Sequence, residues 1–263
     1  MSRVVIVAGF HRSGTSSVAQ LLHRAGLFVG DELIGVIPSN PYGHFEDREI
    51  VRLHEAILAD NGRTWHVDRP LLPVVNPNRW AAMRRIVAQR RASYDLWGFK
   101  DPRACLFLHA WKHLVPEARV LVIYRHWADS AYSLERRHSR ELLGGIGPVH
   151  LHRLFFEIPD LALKMWAVHN EALIRFAETY PDDVLVLPFE AMSGSYPLVE
   201  VLNERWAIGL TPTATTSVFD PAVTTPRPRR QPLSDGRLPL RLNSIWDRLE
   251  ALAAPALQEA HGV

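Results

Sequence analysis

The sequence predicts an α/β fold, a parallel sheet flanked by helices, with a helical and partly irregular C-terminal part. Three observations predict it. Short apolar runs recur at residues 3–9, 96–99, 118–124 and 183–189. Stretches with helical periodicity separate them, the pattern of strands joined by crossover helices and buried on both faces. A loop rich in glycine and serine joins the first apolar run to the first helical stretch. No internal repeat and no linker breaks the 263 residues, so one domain spanning 1–263 is expected.

Taken in order, residues 3–9 read as a buried strand, and 15–24 as a helix that Gly26 stops. Residues 31–41 form a loop of Gly, Pro and Asn. Ile50, Leu53, Ile57 and Leu58 fall at a helical period within 46–61, closed by Gly62. After an irregular stretch at 70–77, Asn78 is expected to cap a helix reaching Arg91. The strand at 96–99 is followed by a helix over 103–114. ARVLVIY at 118–124 is the clearest strand, expected beside the first, with a helix over 128–138 behind it. Residues 142–149 read as a glycine-rich turn, and 161–178 as a long amphipathic helix. A fourth strand at 183–189, a helix at 196–207, a pattern-poor segment at 209–240 and a final helix over 242–258 complete the chain.

Composition excludes several classes. No apolar run approaches the roughly 20 residues of a membrane span, and the N-terminus is too short in apolar residues for a secretion signal, so a cytoplasmic protein is expected. The single cysteine, Cys105, lies among Ala104, Leu106 and Phe107 and reads as core. No Cys/His set has ligand spacing, and His109 and His113 read as a helix face, so no metal is expected. Net charge is only +2, and only three of the 30 basic residues are lysine. The paired arginines 84–85, 90–91 and 136–137 read as solvated helix faces, so no nucleic-acid surface is expected. Oligomeric state is not legible.

The loop GFHRSGTSS at 9–17 carries the first functional signal. Gly9 and Gly14 have the spacing of an ATP-type phosphate loop, but Thr15 replaces its lysine. What remains is a helix N-terminus with free N–H groups and a dipole that favours an anion. Gly14 allows close approach, Arg12 adds charge, and Ser13, Thr15, Ser16 and Ser17 add hydroxyls. This makes the sheet P-loop-like and nucleotide-binding-like. No strand ending in Asp offers a magnesium partner, which argues against ATP or GTP hydrolysis. A second signal lies in VLVIYRHWADSAYSLERR, where Arg125 ends a strand and Ser133 follows eight residues later.

Together the two segments resemble the sulfotransferases that use 3′-phosphoadenosine 5′-phosphosulfate (PAPS). In that family a strand–loop–helix of the form [KR]-[ST]-G-[TN] binds the 5′-phosphosulfate, and a strand-end Arg with a Ser eight residues on binds the 3′-phosphate. This chain reads Arg12-Ser13-Gly14-Thr15, then Arg125 and Ser133, a resemblance covering about residues 3–140. It is similar to bacterial members and, through GFHRSGT and a Lys-Asp-Pro segment, to the tyrosylprotein branch. The resemblance implies PAPS as sulfuryl donor, binding at Arg12 through Ser17 with Arg125 and Ser133, and no metal.

Sulfuryl transfer needs a base for the acceptor and positive charge at the leaving oxygen. The resemblance carries the cationic role to Lys100 in WGFKDPR, with Arg12 sharing it. Cytosolic branches place a histidine two residues after that lysine; here Pro102 stands there. Other branches use an early glutamate, which points to Glu46 in NPYGHFEDREIVRLHEAIL, at a helix start. Asp47, His44 and Asp101 remain alternatives, and Arg103 is a partner for Glu46 or the acceptor. The RPRR run at 227–230 lacks the glycines of the family's C-terminal basic loop, and a flexible basic stretch is the competing reading. The acceptor, whether small molecule, carbohydrate or peptide, is not legible. Tyr42, Phe45, Trp65, Trp80 and Trp166 are aromatic candidates for lining its pocket, and the loops at 31–45, 62–78 and 140–150 for selecting it. Two rivals stay open: a small-molecule or nucleoside kinase with a degenerate loop, and a nucleotide-binding module without catalysis.

Overall fold

The structure of the protein is a computed structural model, and it describes residues 2–35, 43–193, 196–219 and 236–259. Tyr42 and the RPRR run at 227–230 lie outside the described residues. In chain order the elements are β1 (Arg3–Ala8), α1 (Thr15–Arg24), α2 (Arg48–Asp60), α3 (Pro77–Ser93), β2 (Leu96–Lys100), α4 (Leu108–Leu114), β3 (Arg119–Tyr124), α5 (Trp127–Leu143), α6 (Val149–Glu157), α7 (Leu161–Thr179), β4 (Val184–Pro188), α8 (Phe189–Ser193), α9 (Leu198–Trp206) and α10 (Leu238–Glu259).

The four strands are parallel, in the order β2-β1-β3-β4. From β1 the chain crosses to β2 on one side, and from β3 to β4 on the other. The strand order therefore reverses between β1 and β3, and ligands of such sheets bind in the crevice outside the carboxyl ends at that point. Register places Val7 beside Lys100 and Ala8 beside Val122, so the ends of β1, β2 and β3 stand together.

Burial on both faces explains the continuous apolar runs. Val4, Ile6 and Ala8 face a core with Ile57, Ile86, Leu173 and Leu249, from α2, α3, α7 and α10. Val5 and Val7 face a second core with Leu21, Leu22, Val199 and Leu202, from α1 and α9. Each such Val, Leu or Ile side chain contributes about 1.5–3 kcal/mol when fully buried. Cys105 belongs to the first core, where burial pushes its thiol up to about 12.

Several local expectations need correction. Asn76, not Asn78, caps α3, accepting from Arg79 N at 3.0 Å with Pro77 in the first turn. The helix expected over 103–114 is a 3-10 turn at Pro102–Leu106 followed by α4. Helix α5 runs to Leu143, and the glycines at 144, 145 and 147 separate it from α6, which the sequence reading had not separated from loop. Arg90 is not on a solvated face: it is buried, pairs with Asp47 and with Asp31 at 2.7 Å, and lies 4.6 Å from the Phe28 ring centroid. Among the described residues, no helix is long and apolar enough to cross a membrane.

Candidate active site

The loop after β1 bends so that its glycine is required. Gly14 has φ 84°, and a Cβ there would stand 2.2 Å from Cδ2 of Phe189. Arg12 also adopts a left-handed φ of 67°, which strains a non-glycine residue by about 1–3 kcal/mol. That backbone aims the side chain across the crevice: Arg12 Nε donates to Ser133 Oγ at 2.9 Å. Arg125, directly after β3, donates through Nη1 to the Arg12 carbonyl at 3.4 Å. Two segments 113 positions apart thus form one cationic rim. Burial, then Arg137 and Arg125, lowers the Arg12 guanidinium to about 10.

Arg125 is held from behind. Its carbonyl accepts from Trp166 Nε1 at 3.1 Å, and its guanidinium lies 5.0 Å from the centroid of Phe189, the ring that also packs against Gly14. Trp166 is thus a buried support rather than a pocket wall.

This rim has the features of an anion cradle. No side chain caps the N-terminus of α1, whose first N–H groups lie at Thr15, Ser16 and Ser17. Ser13 Oγ and Arg125 Nε are buried without a hydrogen-bond partner among the described residues. Buried polar atoms are seldom left so, and a phosphorylated ligand supplies the acceptors they lack. The residues present fit the PAPS that the sequence resemblance implies.

Beside the cradle, Lys100 ends β2. Its Nζ donates to Ser16 Oγ at 3.1 Å, to the His44 carbonyl at 3.2 Å and to Glu46 Oε1 at 2.6 Å. Glu46 precedes α2 rather than starting it; Asp47 is the cap, accepting from Glu49 N at 2.9 Å. Paired segments hold Glu46 in place, with Ile34 N donating to the Glu46 carbonyl and His44 N to that of Ile34. Burial alone would raise the Glu46 carboxyl, but Lys100, His44 and Arg103 outweigh it and hold it well below the usual range.

The alternatives to Glu46 sort by their partners. Asp47 is turned to Arg90. His44 Nδ1 lies 3.7 Å from Glu46 Oε1, and burial lowers it below its ordinary value. Asp101 is fully enclosed: its carboxylate accepts from Arg103 Nη1 at 2.6 Å and Arg103 N at 3.0 Å, and from His54 Nδ1 at 2.7 Å. Because Trp111 Nε1 donates to His54 Nε2 at 2.8 Å, His54 carries its proton on Nδ1. This Trp111–His54–Asp101 chain fixes Arg103, whose Nη1 stands 3.8 Å from Glu46 Oε2 and whose Nη2 bonds Glu55 at 2.9 Å.

His54, Trp111 and Phe189 escaped the sequence reading because their roles arise from contacts between distant segments. His11 escaped it too, although it adjoins Arg12. Its buried Nε2 has no partner among the described residues, its ring lies 5.0 Å from Trp65, and burial with Arg103 nearby drives it well below its ordinary value. Trp80 packs on His113, and Phe45 near His23.

Comparison with known proteins converges on one family. The family model described as the sulfotransferase family matches residues 4–195. No curated protein matches the chain. Among solved structures, a sulfotransferase from Alicyclobacillus acidocaldarius is similar over 97% of this chain and 96% of its own, at 13% identity and a TM-score of 0.52. The sulfotransferase domain from the curacin biosynthetic pathway is similar over 95% and 98%, at 14% identity and a TM-score of 0.52. At such identities the likeness shows the fold. With most of its length matched by the family model, the chain belongs to the sulfotransferase family, an enzyme family that uses PAPS.

Proposed function

We propose that the protein moves a sulfuryl group from PAPS to an acceptor hydroxyl, or an amine, by in-line displacement at the carboxyl ends of β1, β2 and β3. One observation carries the reading: the loops after β1 and β3 meet through Arg12, Ser133 and Arg125, and Lys100 with Glu46 adjoins the same loop through Ser16.

Bound PAPS supplies an activated sulfuryl group on a phosphate leaving group. Arg12, Ser13, Gly14 and the first turn of α1, at Thr15, Ser16 and Ser17, hold the phosphosulfate end. Arg125 and Ser133 hold the 3′-phosphate. Lys100 Nζ, already at Ser16, places positive charge where the leaving oxygen gains negative charge. Glu46 takes the acceptor's proton on its carboxylate. In the resting structure it is a weak base because Lys100 holds Oε1. When Lys100 turns its ammonium toward the anionic donor, Glu46 loses its main acidifying partner and burial raises its basicity. The base thus becomes competent only with donor in place. Trp65, against His11, is the aromatic side chain we assign to contact an acceptor.

The test is a thermal shift with adenosine 3′,5′-bisphosphate against Mg-ATP. At roughly 100-fold saturation a bound ligand adds about 2.7 kcal/mol. Stabilisation by the bisphosphate, with turnover of PAPS on a panel of phenols, sugars and peptides, is the expected result. A shift with Mg-ATP alone would favour a kinase, and bisphosphate binding without turnover on any acceptor a non-catalytic module.

A further inference from the structure

Helices α5 and α6 bring together His138, Glu141 and His152, all buried. His138 and Glu141 are spaced i, i+3 and share one face of α5. His152 comes from the first turn and a half of α6, across the glycine-rich connection. Their ligand-type atoms converge. His138 Nδ1 lies 2.8 Å from His152 Nδ1 and 3.2 Å from Glu141 Oε2, and His152 Nδ1 lies 3.7 Å from Glu141 Oε2.

Proton positions sharpen the point. His152 Nε2 faces the Ile146 carbonyl at 2.9 Å. A carbonyl only accepts, so that nitrogen bears the proton and Nδ1 of the neutral ring presents a lone pair. Glu141 Oε1 accepts from Arg137 Nε at 2.9 Å, which turns Oε2 toward the histidines. The lone pair of His152 Nδ1 and Glu141 Oε2 both face His138 Nδ1.

We propose that these three side chains form a binding site for a divalent transition-metal ion, zinc above all. Tetrahedral zinc with bonds near 2.0–2.1 Å holds its ligand atoms about 3.3 Å apart, and the three observed separations bracket that value. Two imidazoles and one carboxylate are a donor set zinc accepts, with a fourth position left for water. The outer contacts are also those of a metal site: a backbone carbonyl on the far nitrogen of His152 and an arginine on the far oxygen of Glu141. His138 binds through Nδ1 once its proton has moved to Nε2. The ion joins α6 to α5, the helix that carries Ser133 of the donor cradle. Local spacing did not reveal the set because the two histidines lie fourteen positions apart with a loop between them.

The test uses the full chain, stripped with a chelator and titrated with zinc chloride or cobalt chloride. The expected result is one ion per chain, a melting temperature that climbs with free zinc, and the visible absorption of four-coordinate cobalt. His152→Ala abolishes all three. Glu141→Gln, which keeps the shape of the side chain and a partner for Arg137, weakens zinc binding at least tenfold and serves if His152→Ala does not fold. The proposal is overturned if zinc leaves the wild-type melting temperature unchanged. It is equally overturned if Glu141→Gln binds zinc as tightly as the wild type, because the ion then sits elsewhere.

Discussion

Lys100 Nζ donates to Glu46 Oε1 at 2.6 Å, and both side chains are buried. The proposed cation for the leaving group and the proposed base for the acceptor therefore meet, although 54 positions separate them in sequence. If Glu46 is the base, Glu46→Gln keeps the shape and hydrogen bonds of the site but cannot take a proton. Its affinity for adenosine bisphosphate, measured by calorimetry, should stay within a few fold, while kcat falls at least ~10²-fold. Near-normal turnover would exclude the assignment.

Lys100→Met makes the complementary test. It takes the main partner from a buried carboxylate, leaving Arg103 Nη1 at 3.8 Å, and costs about 3 kcal/mol because the charge loses that partner without regaining water. Urea midpoints should show this loss, and adding Glu46→Gln should restore part of the stability but none of the activity. A Lys100→Met protein as stable as the wild type would mean that the pair is solvated in solution.

Arg125 and Ser133 are assigned to the 3′-phosphate, so their effect must depend on that group. Arg125→Ala should weaken adenosine 3′,5′-bisphosphate by about 10- to 100-fold, the loss of a charge-assisted bond. Binding of 5′-AMP, which lacks the 3′-phosphate, should hardly change. Equal losses for both ligands would move Arg125 to another part of the nucleotide.

Gly14→Ala tests the cradle itself. The new methyl meets the Phe189 ring, and the φ of 84° disfavours any side chain. A loss of at least ~1 kcal/mol in stability is expected, with bisphosphate binding abolished. Adding Phe189→Ala removes the clash but not the backbone strain, so binding should return only partly. Full recovery in the double variant would show that packing alone selects glycine.

The strands and the loops after β1 and β3 were legible because their signals are local: a continuous apolar run, a glycine turn and a helix start within a few residues. Partnerships across the fold were not. Arg90 looks like any arginine on a helix until Asp31 and Asp47 are brought to it. Glu46 stands out in sequence as a candidate base, but its charge state depends on Lys100 and Arg103, which sequence distance hides. Helix α6 was missed because its nine residues follow a run of glycines and bury only His152 and Phe155. Phe189 gave no sign of its contact with Gly14, since nothing in LPFE shows that β4 ends beside the loop after β1.

Acid stability should be governed by buried neutral histidines before carboxylates titrate. His169, in α7, is fully buried against Phe10 and His11; it faces the Met165 carbonyl through Nδ1 at 2.8 Å, and its Nε2 has no partner among the described residues. Burial is the main cause that lowers it from 6.5 to about 4. His11 is lowered for the same first reason. Above pH 6.5 such a ring is neutral both folded and unfolded, so it costs nothing. Below 6.5 the unfolded chain takes the proton first, and stability falls until the folded form also protonates near pH 4. For His169 the loss across that window is about 3 kcal/mol. Glu46 and Asp101, both held below their ordinary values, act later: their contribution is intact above about pH 4 and disappears as pH falls through their depressed folded-state values. Urea unfolding at successive pH values should therefore show a decline beginning near 6.5. His169→Gln, which does not titrate, should make the segment between 6.5 and 4 less steep, with His11 and His66 still contributing, while leaving the fall below 4. A wild-type curve level down to pH 4 would mean that His169 is open to water and protonates in the folded state.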